Sequence, residues 1–515
     1  MKRLIALFVM LLGCAAAGAT EIPALTYHDI VEKKGADAFA VTARDFKRHI
    51  QYLKDEGYTP VSLDLLRQVR EGKATLPAKP VLLSFDDGLK SFASHALPLL
   101  QQYGYPGVLS VVTAWLDGRS VPEAYQGRLL DWSALRALAS SPLVEIISHS
   151  DDLHRGIRSN PQGNEAPAGV TRAYDPVSGR HETEEAFRER LRADLAHSRQ
   201  RLVTMLGKAP VAVAWPYGAY DAVTVEEAHR LGMTYHLTLD EDPTTVAMLP
   251  RINRITFRRY KNLRQLDDAL TWRQQRTRQL RFVEIGLDEF VGRPQQAQEE
   301  MLSSLLSRLQ LLGVNAVVVD PFTADRKAAF FPAVSMPMAA NILNRVLHQI
   351  ETRLEIEQIF LMAPLNLPVA DRVTVYRELA RLHRFRGVIF TGTGSQAGFE
   401  ALLRHHHPSA RIGCSAAACA DGTADFMFQR LAVTDESPAL AQQVAQILAV
   451  EKPVLFSLDR PRDMDDARFV AALRALRAAG AVNYGYTNDE FQADRPALAR
   501  IVRELSEHTV VGSRR

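Results

Sequence analysis

Short apolar runs alternate with helix-like patterns along almost the whole chain after its first 20 residues. In the N-terminal half the strand-like runs cover residues 81–85, 107–112, 144–148 and 211–215. In the C-terminal half they cover residues 282–287, 314–320, 358–363, 387–390, 454–458 and 482–486. Between them lie segments with apolar residues at helical spacing, for example 296–312 and 467–479. This alternation predicts βα units, and therefore an α/β fold with parallel strands.

The first 19 residues have the pattern of a secretory signal peptide. Lys2 and Arg3 precede an apolar run over 4–12, which is too short to span a bilayer, and small residues follow. Two processing sites compete. The sequence Leu-Leu-Gly before Cys14 resembles a bacterial lipobox, in which Cys14 would carry the lipid, whereas 17–19 reads as an ordinary Ala-x-Ala cleavage site. Both predict export, and the first also predicts a membrane anchor.

Composition narrows the class of protein. With 515 residues, 47% apolar and 23% charged, the chain is expected to form two globular domains. Lys and Arg total 62 against 59 Asp and Glu, so the balance does not favour nucleic acid as a partner.

A basic stretch poor in strand formers places the domain boundary near 260–280. Cys414 and Cys419 could pair or could be small buried residues, and the unpaired state is slightly favoured.

Two acidic and two histidine residues follow separate predicted strands. Asp86 and Asp87 come after 81–85 and precede Gly88, while His149 and His154 come after 144–148. Since the carboxyl ends of parallel strands line the functional edge of βα folds, these residues are expected to meet. Two imidazoles and one carboxylate form a facial metal-ligand set, and the second carboxylate could accept a proton from water.

Each half of this pattern has an ordinary explanation when taken alone. An Asp-Asp-Gly sequence after a strand is usually a turn, and two histidines five residues apart are usually surface or core residues. Their coincidence at two strand ends of an exported βα chain favours a metal site. The region 159–182, rich in Gly, Pro and Asn, is expected to be a long loop with a lid or binding role.

The motifs SFDDG and SHSDDLHRG resemble those of the polysaccharide deacetylases, the NodB-homology enzymes of carbohydrate esterase family 4. The five-residue histidine spacing is similar to the PgaB-type poly-β-1,6-N-acetyl-D-glucosamine deacetylases. Further similar stretches are TYHDI, NPQGN, WPYG, FFPAVSMP and NYGYTNDEF, so the resemblance covers essentially the whole mature chain. It implies two (β/α) barrel-like domains, a deacetylase barrel over 20–270 and a glycoside-hydrolase-like barrel over 281–515.

The resemblance also implies roles for individual residues. Asp86 would be the general base, and the ligands of one divalent ion would be Asp87, His149 and His154. Zinc suits this set, although cobalt, nickel and iron fit as well. The remaining predicted site residues are His28 as proton donor, the Tyr217 backbone N–H as an oxyanion donor, Pro216 and Tyr217 as walls of the substrate groove, and Trp215 as a substrate-binding residue.

In the second domain this sequence departs from the family pattern. Hydrolytic relatives are expected to have an acid pair after the strand 387–390, where this chain has Thr391 followed by Gly-Thr-Gly. Cleavage of a glycoside normally needs paired carboxylates, so the domain is expected to bind glycan without cutting it. The candidate contact residues are Phe331, Tyr486, Asp489 and Glu490. His405, His406 and His407 are expected to lie in a solvated loop.

The function that the resemblance implies is metal-dependent N-deacetylation of poly-β-1,6-N-acetyl-D-glucosamine during export and biofilm formation. One alternative is a peptidoglycan or chitooligosaccharide deacetylase. An alternative of another class is a non-catalytic glycan-binding export scaffold. The expected location is the periplasm of a Gram-negative bacterium, with a lipid anchor in the outer membrane. The expected partners are the polymer and an outer-membrane export porin.

Overall fold

Parallel strands form the centre of both halves of the chain. The computed structural model describes residues 20–257, 263–394, 396, 398–418, 424–433, 437–449 and 452–506. The predicted signal segment with Cys14 lies outside the described residues, as does Cys419. Among the described residues, no helix is both long and apolar enough to cross a membrane.

The chain divides into two units. The first contains the described residues of Met1–Asp152, Leu195–Gly218 and Leu231–Arg276, and the second those of Leu153–Asp194, Ala219–Arg230 and Thr277–Arg515. The last switch between the units therefore falls within the 260–280 region.

The first unit is built on one parallel sheet that nearly closes into a barrel. Its main strands are β1 (Ala24–Tyr27), β2 (Pro80–Phe85), β3 (Gly107–Val111), β4 (Val144–Ser148), β5 (Ala212–Ala214), β6 (Tyr235–Thr238), β7 (Arg251–Asn253) and β8 (Ile255–Thr256). Their order is β7-β6-β5-β4-β3-β2-β1-β8, and the short strand Thr59–Pro60 also pairs with β2. Because Arg254 alone separates β7 from β8, one stretch of chain pairs with both edges of the sheet.

The second unit contains a closed barrel of parallel strands. They are β9 (Arg281–Ile285), β10 (Ala316–Val319), β11 (Gln358–Pro364), β12 (Gly387–Thr391), β13 (Arg411–Cys414), β14 (Phe426–Ala432), β15 (Val454–Asp459) and β16 (Asn483–Tyr486). Alternate strand residues such as Phe282, Val318 and Phe360 form one apolar cluster, and their neighbours pack with the helices in another. The first cluster fills the barrel, as the two-residue period of a strand requires.

Helices connect most of the strands. In chain order they are Ala43–Asp55, Leu63–Arg70, Leu97–Tyr103, Thr113–Leu116, Trp132–Ala139, Glu184–Leu206, Ala222–Arg230, Leu263–Leu270, Arg273–Thr277, Gln295–Leu312, Leu343–Leu354, Arg372–Leu382, Phe399–His406, Ser437–Leu448, Asp466–Ala478 and Leu498–Leu505. Polar caps define several of their starts. Thr42, Ser62, Asp131 and Asp465 each accept a hydrogen bond from a backbone N–H of the first turn.

The α/β prediction with two barrels is confirmed, and every predicted strand run contains a strand. The predicted runs did not include β1, β6, β7 and β8 in the first unit, or β13 and β14 in the second. β13 contains Gly413, where a Cβ would lie 2.3 Å from the Phe426 ring, and β14 has the adjacent polar residues Gln429 and Arg430 in its middle. Strands with a glycine or a charged face give a weak apolar signal.

Three local predictions need correction. Residues 159–182 are not a plain loop, because the chain here takes part in two short antiparallel ladders, Gly156–Arg158 with Glu165–Pro167 and Tyr174–Asp175 with Arg180–His181. Cys414 is disulfide-bonded, so the unpaired state is wrong for this residue.

The prediction that the three consecutive histidines lie in a solvated loop is also wrong. His406 ends the helix Phe399–His406 and is buried, and burial lowers its pKa to about 2. The His407 Nε2 lies 2.8 Å from the Ala380 carbonyl oxygen, to which it donates a hydrogen bond. The helix pattern continues further than the run of polar residues suggests, because His406 packs on its inner side.

Candidate metal centre

The ends of two strands bring the predicted site residues together. Asp86 and Asp87 follow β2, and His149 follows β4, with β3 lying between these strands in the sheet. Asp87 has φ +74° and Gly88 has φ +69°, a left-handed conformation that costs a non-glycine residue about 1 kcal/mol. In a strand, adjacent side chains point to opposite faces of the sheet. This turn ends that alternation, so the carboxylates of Asp86 and Asp87 lie at the same site.

The predicted ligand set forms a compact group. Asp87, His149 and His154 each offer one ligand atom, and these atoms all lie within 4.8 Å of one another. The Asp87 Oδ1 lies 3.6 Å from the His149 Nε2. Two ligands at about 2.0–2.1 Å from one tetrahedral ion lie roughly 3.3 Å apart, so this spacing fits a metal with little adjustment.

The protonation of His149 suits a metal ligand. Its Nδ1 lies 2.7 Å from the Ala214 carbonyl oxygen, to which only a protonated nitrogen can donate. The neutral imidazole then has its lone pair on Nε2, the atom that faces Asp87. A backbone carbonyl thus selects the tautomer that coordinates a cation.

The electrostatics of Asp87 also fit a cation. Burial raises the pKa of this carboxyl, although His28 and His149 act in the opposite direction. A divalent ion would favour the charged form and offset the cost of burial. The Tyr125 hydroxyl donates to the other oxygen of Asp87, Oδ2, at 3.0 Å. The donor set therefore fits the ion that the resemblance implies.

Asp86 lies in a different environment from its neighbour. Burial would raise its pKa, but the Arg254 guanidinium, helped by His149 and His28, holds the pKa well below its usual range. Arg254 donates to Asp86 at 2.8 Å, and the Ser110 hydroxyl donates at 2.6 Å. Asp86 is thus an ionised carboxylate next to the ligand group, as a proton acceptor requires.

The sequence pattern did not indicate Arg254, Ser110 or Tyr125. Arg254 lies in the sequence RINRIT, between two short strands. An arginine in this position is the one feature of the sequence that could have indicated a buried ionic partner. Ser110 alternates with apolar residues on β3, so it resembles an ordinary small strand residue. Tyr125 ends the 3-10 helix Glu123–Tyr125, which is too short to give a periodic sequence pattern.

The other predicted site residues of the first unit occupy distinct surroundings. His28 contributes to the electrostatic environment of Asp86 and Asp87, and its buried Nδ1 makes no hydrogen bond to any described residue. Trp215 is fully buried and stacks on His236 at 5.8 Å. Its ring does not reach the surface, so the prediction that Trp215 contacts the substrate is wrong.

The turn after Trp215 exposes one aromatic side chain. Tyr217 has φ +58° and is 49% exposed, while Pro216 is buried. Gly218 has φ +67°, and a Cβ there would lie 2.6 Å from the Leu239 Cβ, so glycine is required. The turn presents Tyr217 to solvent, and the proposed donor role of its N–H stays a prediction.

The candidate contacts in the second unit are mostly engaged within the fold. Asp489 is 3% exposed and accepts from Arg308 at 2.8 Å and from the Tyr486 hydroxyl at 2.7 Å. Glu490 is partly exposed, 3.6 Å from an Arg462 nitrogen. Phe331 and Tyr486 are fully buried, so the expectation that their rings face a glycan is wrong.

Comparison with known proteins gives two family matches. A family described as polysaccharide deacetylase matches residues 73–236, and one described as hypothetical glycosyl hydrolase family 13 matches residues 284–368. A poly-beta-1,6-N-acetyl-D-glucosamine N-deacetylase of Escherichia coli K12 is 29% identical over 343 residues, which are 64% of this chain and 51% of that protein. The match therefore spans about half the length of that relative.

Two solved structures are similar to the deacetylase portion. A de-N-acetylase from Aggregatibacter actinomycetemcomitans is 31% identical and covers 48% of this chain and 99% of its own, with a TM-score of 0.45. The BpsB deacetylase domain from Bordetella bronchiseptica is 33% identical and covers 46% and 95%, with a TM-score of 0.41. The first family match contains Asp86, Asp87, His149 and His154. This chain belongs to the polysaccharide deacetylase family.

Proposed function

We propose that this protein removes acetyl groups from poly-β-1,6-N-acetyl-D-glucosamine with the help of one divalent metal ion. The observation that carries the proposal is the group of Asp87, His149 and His154 beside the ionised carboxylate of Asp86. The name of the Escherichia coli relative supports this polymer as the substrate.

The bound ion would supply Lewis acidity to the acetamide carbonyl. Asp86 accepts a proton from the attacking water as its oxygen bonds to the carbonyl carbon. The Tyr217 N–H donates a hydrogen bond to the developing oxyanion. The C–N bond then breaks, His28 delivers a proton to the departing nitrogen, and the products are acetate and a free amine on the polymer.

The charges in the first unit suit these roles. A base must be ionised before it acts, and Arg254 maintains the carboxylate of Asp86 in a buried position. The buried Nδ1 of His28 has no hydrogen-bond partner among the described residues, so the side chain is available for exchange of a proton at that end of the ring.

Acetate release from β-1,6-linked N-acetylglucosamine oligomers tests the proposal. Wild-type protein should release acetate and lose this activity with a chelator. Asp86→Asn should abolish turnover and keep the metal, whereas Asp87→Asn should lose both. The control is Asp64→Asn, which replaces an exposed acid on the helix Leu63–Arg70 and should change neither turnover nor metal content. Equal metal loss from the first two variants would overturn the assignment of base and ligand.

The same assay separates the alternative substrates. We propose that the natural substrate has β-1,6-linked N-acetylglucosamine units. The value of kcat/KM should therefore be higher for these oligomers than for β-1,4-linked chitooligosaccharides or peptidoglycan fragments. The reverse preference would identify one of the other polymers as the substrate. Bound glycan without any acetate release from metal-loaded protein would support a non-catalytic scaffold.

We propose that the second barrel binds the polymer without cleaving it. β12 ends at Thr391, and Gly392 follows with φ +75°, so no carboxylate stands at this strand end. Near its carboxyl edge the barrel contains polar side chains instead of apolar ones: Arg430 and Ser457 donate hydrogen bonds to Glu284, whose side chain is 9% exposed. Hydroxyls and charged groups at a barrel mouth suit contacts to sugar.

A further inference from the structure

Backbone hydrogen bonds join the turn that carries His149 to residues 111–114, at the end of β3 and the start of the next helix. The His149 N–H donates to the Val111 carbonyl at 2.9 Å. The N–H groups of Thr113 and Ala114 then donate to the carbonyl oxygens of Ser150 and Asp151, at 3.2 and 3.1 Å. These bonds place the start of the short helix Thr113–Leu116 directly against the turn.

The carboxylate of Asp151 also has side-chain hydrogen-bond and ion-pair partners. It is buried, and it accepts from the Thr113 hydroxyl at 2.6 Å and from Arg119 Nη2 at 2.9 and 3.0 Å. The His197 Nδ1 lies 3.0 Å from its second oxygen. The long helix that carries His197 also contacts this turn through Ser198, whose hydroxyl lies 2.8 Å from that of Ser148.

This network surrounds a strained residue. Ser150 has φ +72°, a conformation that costs a non-glycine residue about 1–3 kcal/mol and persists when its surroundings impose it. Ser150 lies between His149 and Asp151, so any relaxation of the strain would move the imidazole. A buried carboxylate with several charge-assisted hydrogen bonds is strong enough to hold such a turn.

We propose that Asp151 is a positioning residue for the metal centre, held by Arg119, Thr113 and His197, and that it keeps the turn in the conformation in which His149 faces Asp87. The inference rests on the proposed metal site. Asp151 itself coordinates no ion in this scheme, because its oxygens are directed to Thr113, Arg119 and His197. Its removal should therefore weaken metal binding while each of the three ligands is still present.

Cobalt(II) binding to the full-length protein tests this inference. The dissociation constant is measured by competition with a chelating indicator, and the visible absorption bands of bound cobalt report the geometry of its ligands. Asp151→Asn and Arg119→Gln should each weaken binding about 10- to 100-fold, the usual effect of losing an outer partner of a ligand, and should shift the bands. Arg119→Lys should recover part of the affinity.

Arg67→Gln is the matched control. Arg67, in the helix Leu63–Arg70, is 45% exposed and pairs with Asp64 and Glu71, whereas Arg119 is 47% exposed and pairs with Asp151. The control should leave cobalt affinity and spectrum unchanged. The melting temperature of each variant shows whether it is folded. If Asp151→Asn is unfolded, the cobalt affinity of Arg119→Gln decides the outcome.

The results distinguish this inference from the proposed function. If wild-type protein binds no cobalt, or binds it independently of Asp87 and His149, the metal centre itself is wrong. If wild-type protein binds cobalt through those residues but a folded Asp151→Asn or Arg119→Gln variant keeps the affinity and spectrum, only the positioning role is overturned.

Discussion

Arg254 donates from Nη1 to both carboxylate oxygens of Asp86, at 2.8 and 3.1 Å, although 168 residues separate them in the chain. Their side chains are 1% and 5% exposed. Removing the paired cation from a buried carboxylate costs several kcal/mol. The arginine between β7 and β8 therefore supports the charge of the proposed base after β2, and the closure of the sheet brings the two together.

The first prediction concerns this pair. Arg254→Met should lower kcat about 100- to 1000-fold, the range for losing a general base, with the metal content kept. If Arg254 acts through Asp86 alone, the double variant Asp86→Asn/Arg254→Met should be no slower than Asp86→Asn. Single-turnover acetate release on metal-loaded protein measures both rates. A further loss in the double variant would mean that Arg254 contacts the substrate itself.

A second prediction follows from the hydroxyl of Tyr125. Tyr125→Phe removes the hydrogen bond to Asp87 Oδ2 and leaves the ring in place, so metal affinity should fall about 10-fold. Metal competition titration provides the measurement. Tyr103→Phe, which removes an exposed hydroxyl bonded to Gln51, should leave the affinity unchanged. Equal affinities in the two variants would contradict a supporting role for Tyr125.

The third prediction concerns acid stability of the second barrel. His383 is 4% exposed, and burial lowers its pKa to about 3, whereas an unfolded histidine has a pKa near 6.5. The unfolded state therefore binds the extra proton below about pH 6.5, and the stability contributed by the neutral ring is lost as the pH falls toward 3. Between pH 7 and 5.5 the loss should reach about 1 kcal/mol.

Hydrogen exchange in peptides from Arg372–Leu382 measures this loss. The opening free energy of wild-type protein should fall with pH more steeply than that of His383→Gln, which cannot titrate in this range. The Gln variant retains an amide that can donate to the Leu379 carbonyl, the present partner of the His383 Nδ1 at 2.9 Å. Parallel pH profiles would show that His383 is not the titrating group.

The fourth prediction tests the second barrel in the whole protein. With Asp86→Asn to stop deacetylation, the chain should bind partly deacetylated β-1,6-glucosamine polymer and leave its length unchanged, because Thr391 cannot protonate a leaving oxygen. Mass spectrometry of the polymer after long incubation gives the measurement. Asp288 follows β9 and Asp320 follows β10. Short oligosaccharides that disappear when either acid is replaced would show hydrolysis by acids at other strand ends.

The fifth prediction concerns the anchor, for which the support is the sequence around Cys14 alone. If Cys14 is lipidated as proposed, Cys14→Ser should move the protein from the membrane fraction to the soluble periplasm of a Gram-negative host, because the lipid would be attached to this thiol. Fractionation followed by immunoblotting detects the change. A mature N-terminus at Thr20 in the unaltered protein would indicate ordinary signal cleavage instead.

The sequence by itself determined the features that depend on neighbours in the chain. The alternation of apolar runs and helical patterns located ten of the sixteen numbered strands, since burial repeats with the period of each element. The strand ends carrying Asp86, Asp87 and His149 followed from this, because parallel strands present their carboxyl ends on one edge. The five-residue interval to His154 could be read directly, and the structure brings the three ligands within reach of one ion.

Tertiary structure alone decided the partners of these residues. Arg254 reaches Asp86 because β7 and β8 pair with opposite edges of one sheet, and Arg119 and His197 meet at Asp151 from segments far apart in the chain. The same holds where the expectations were wrong. Phe331 and Tyr486 are buried because of how helices cover the second barrel, which periodicity cannot report. Side-chain contacts across distant segments depend on packing, and local sequence constrains packing only weakly.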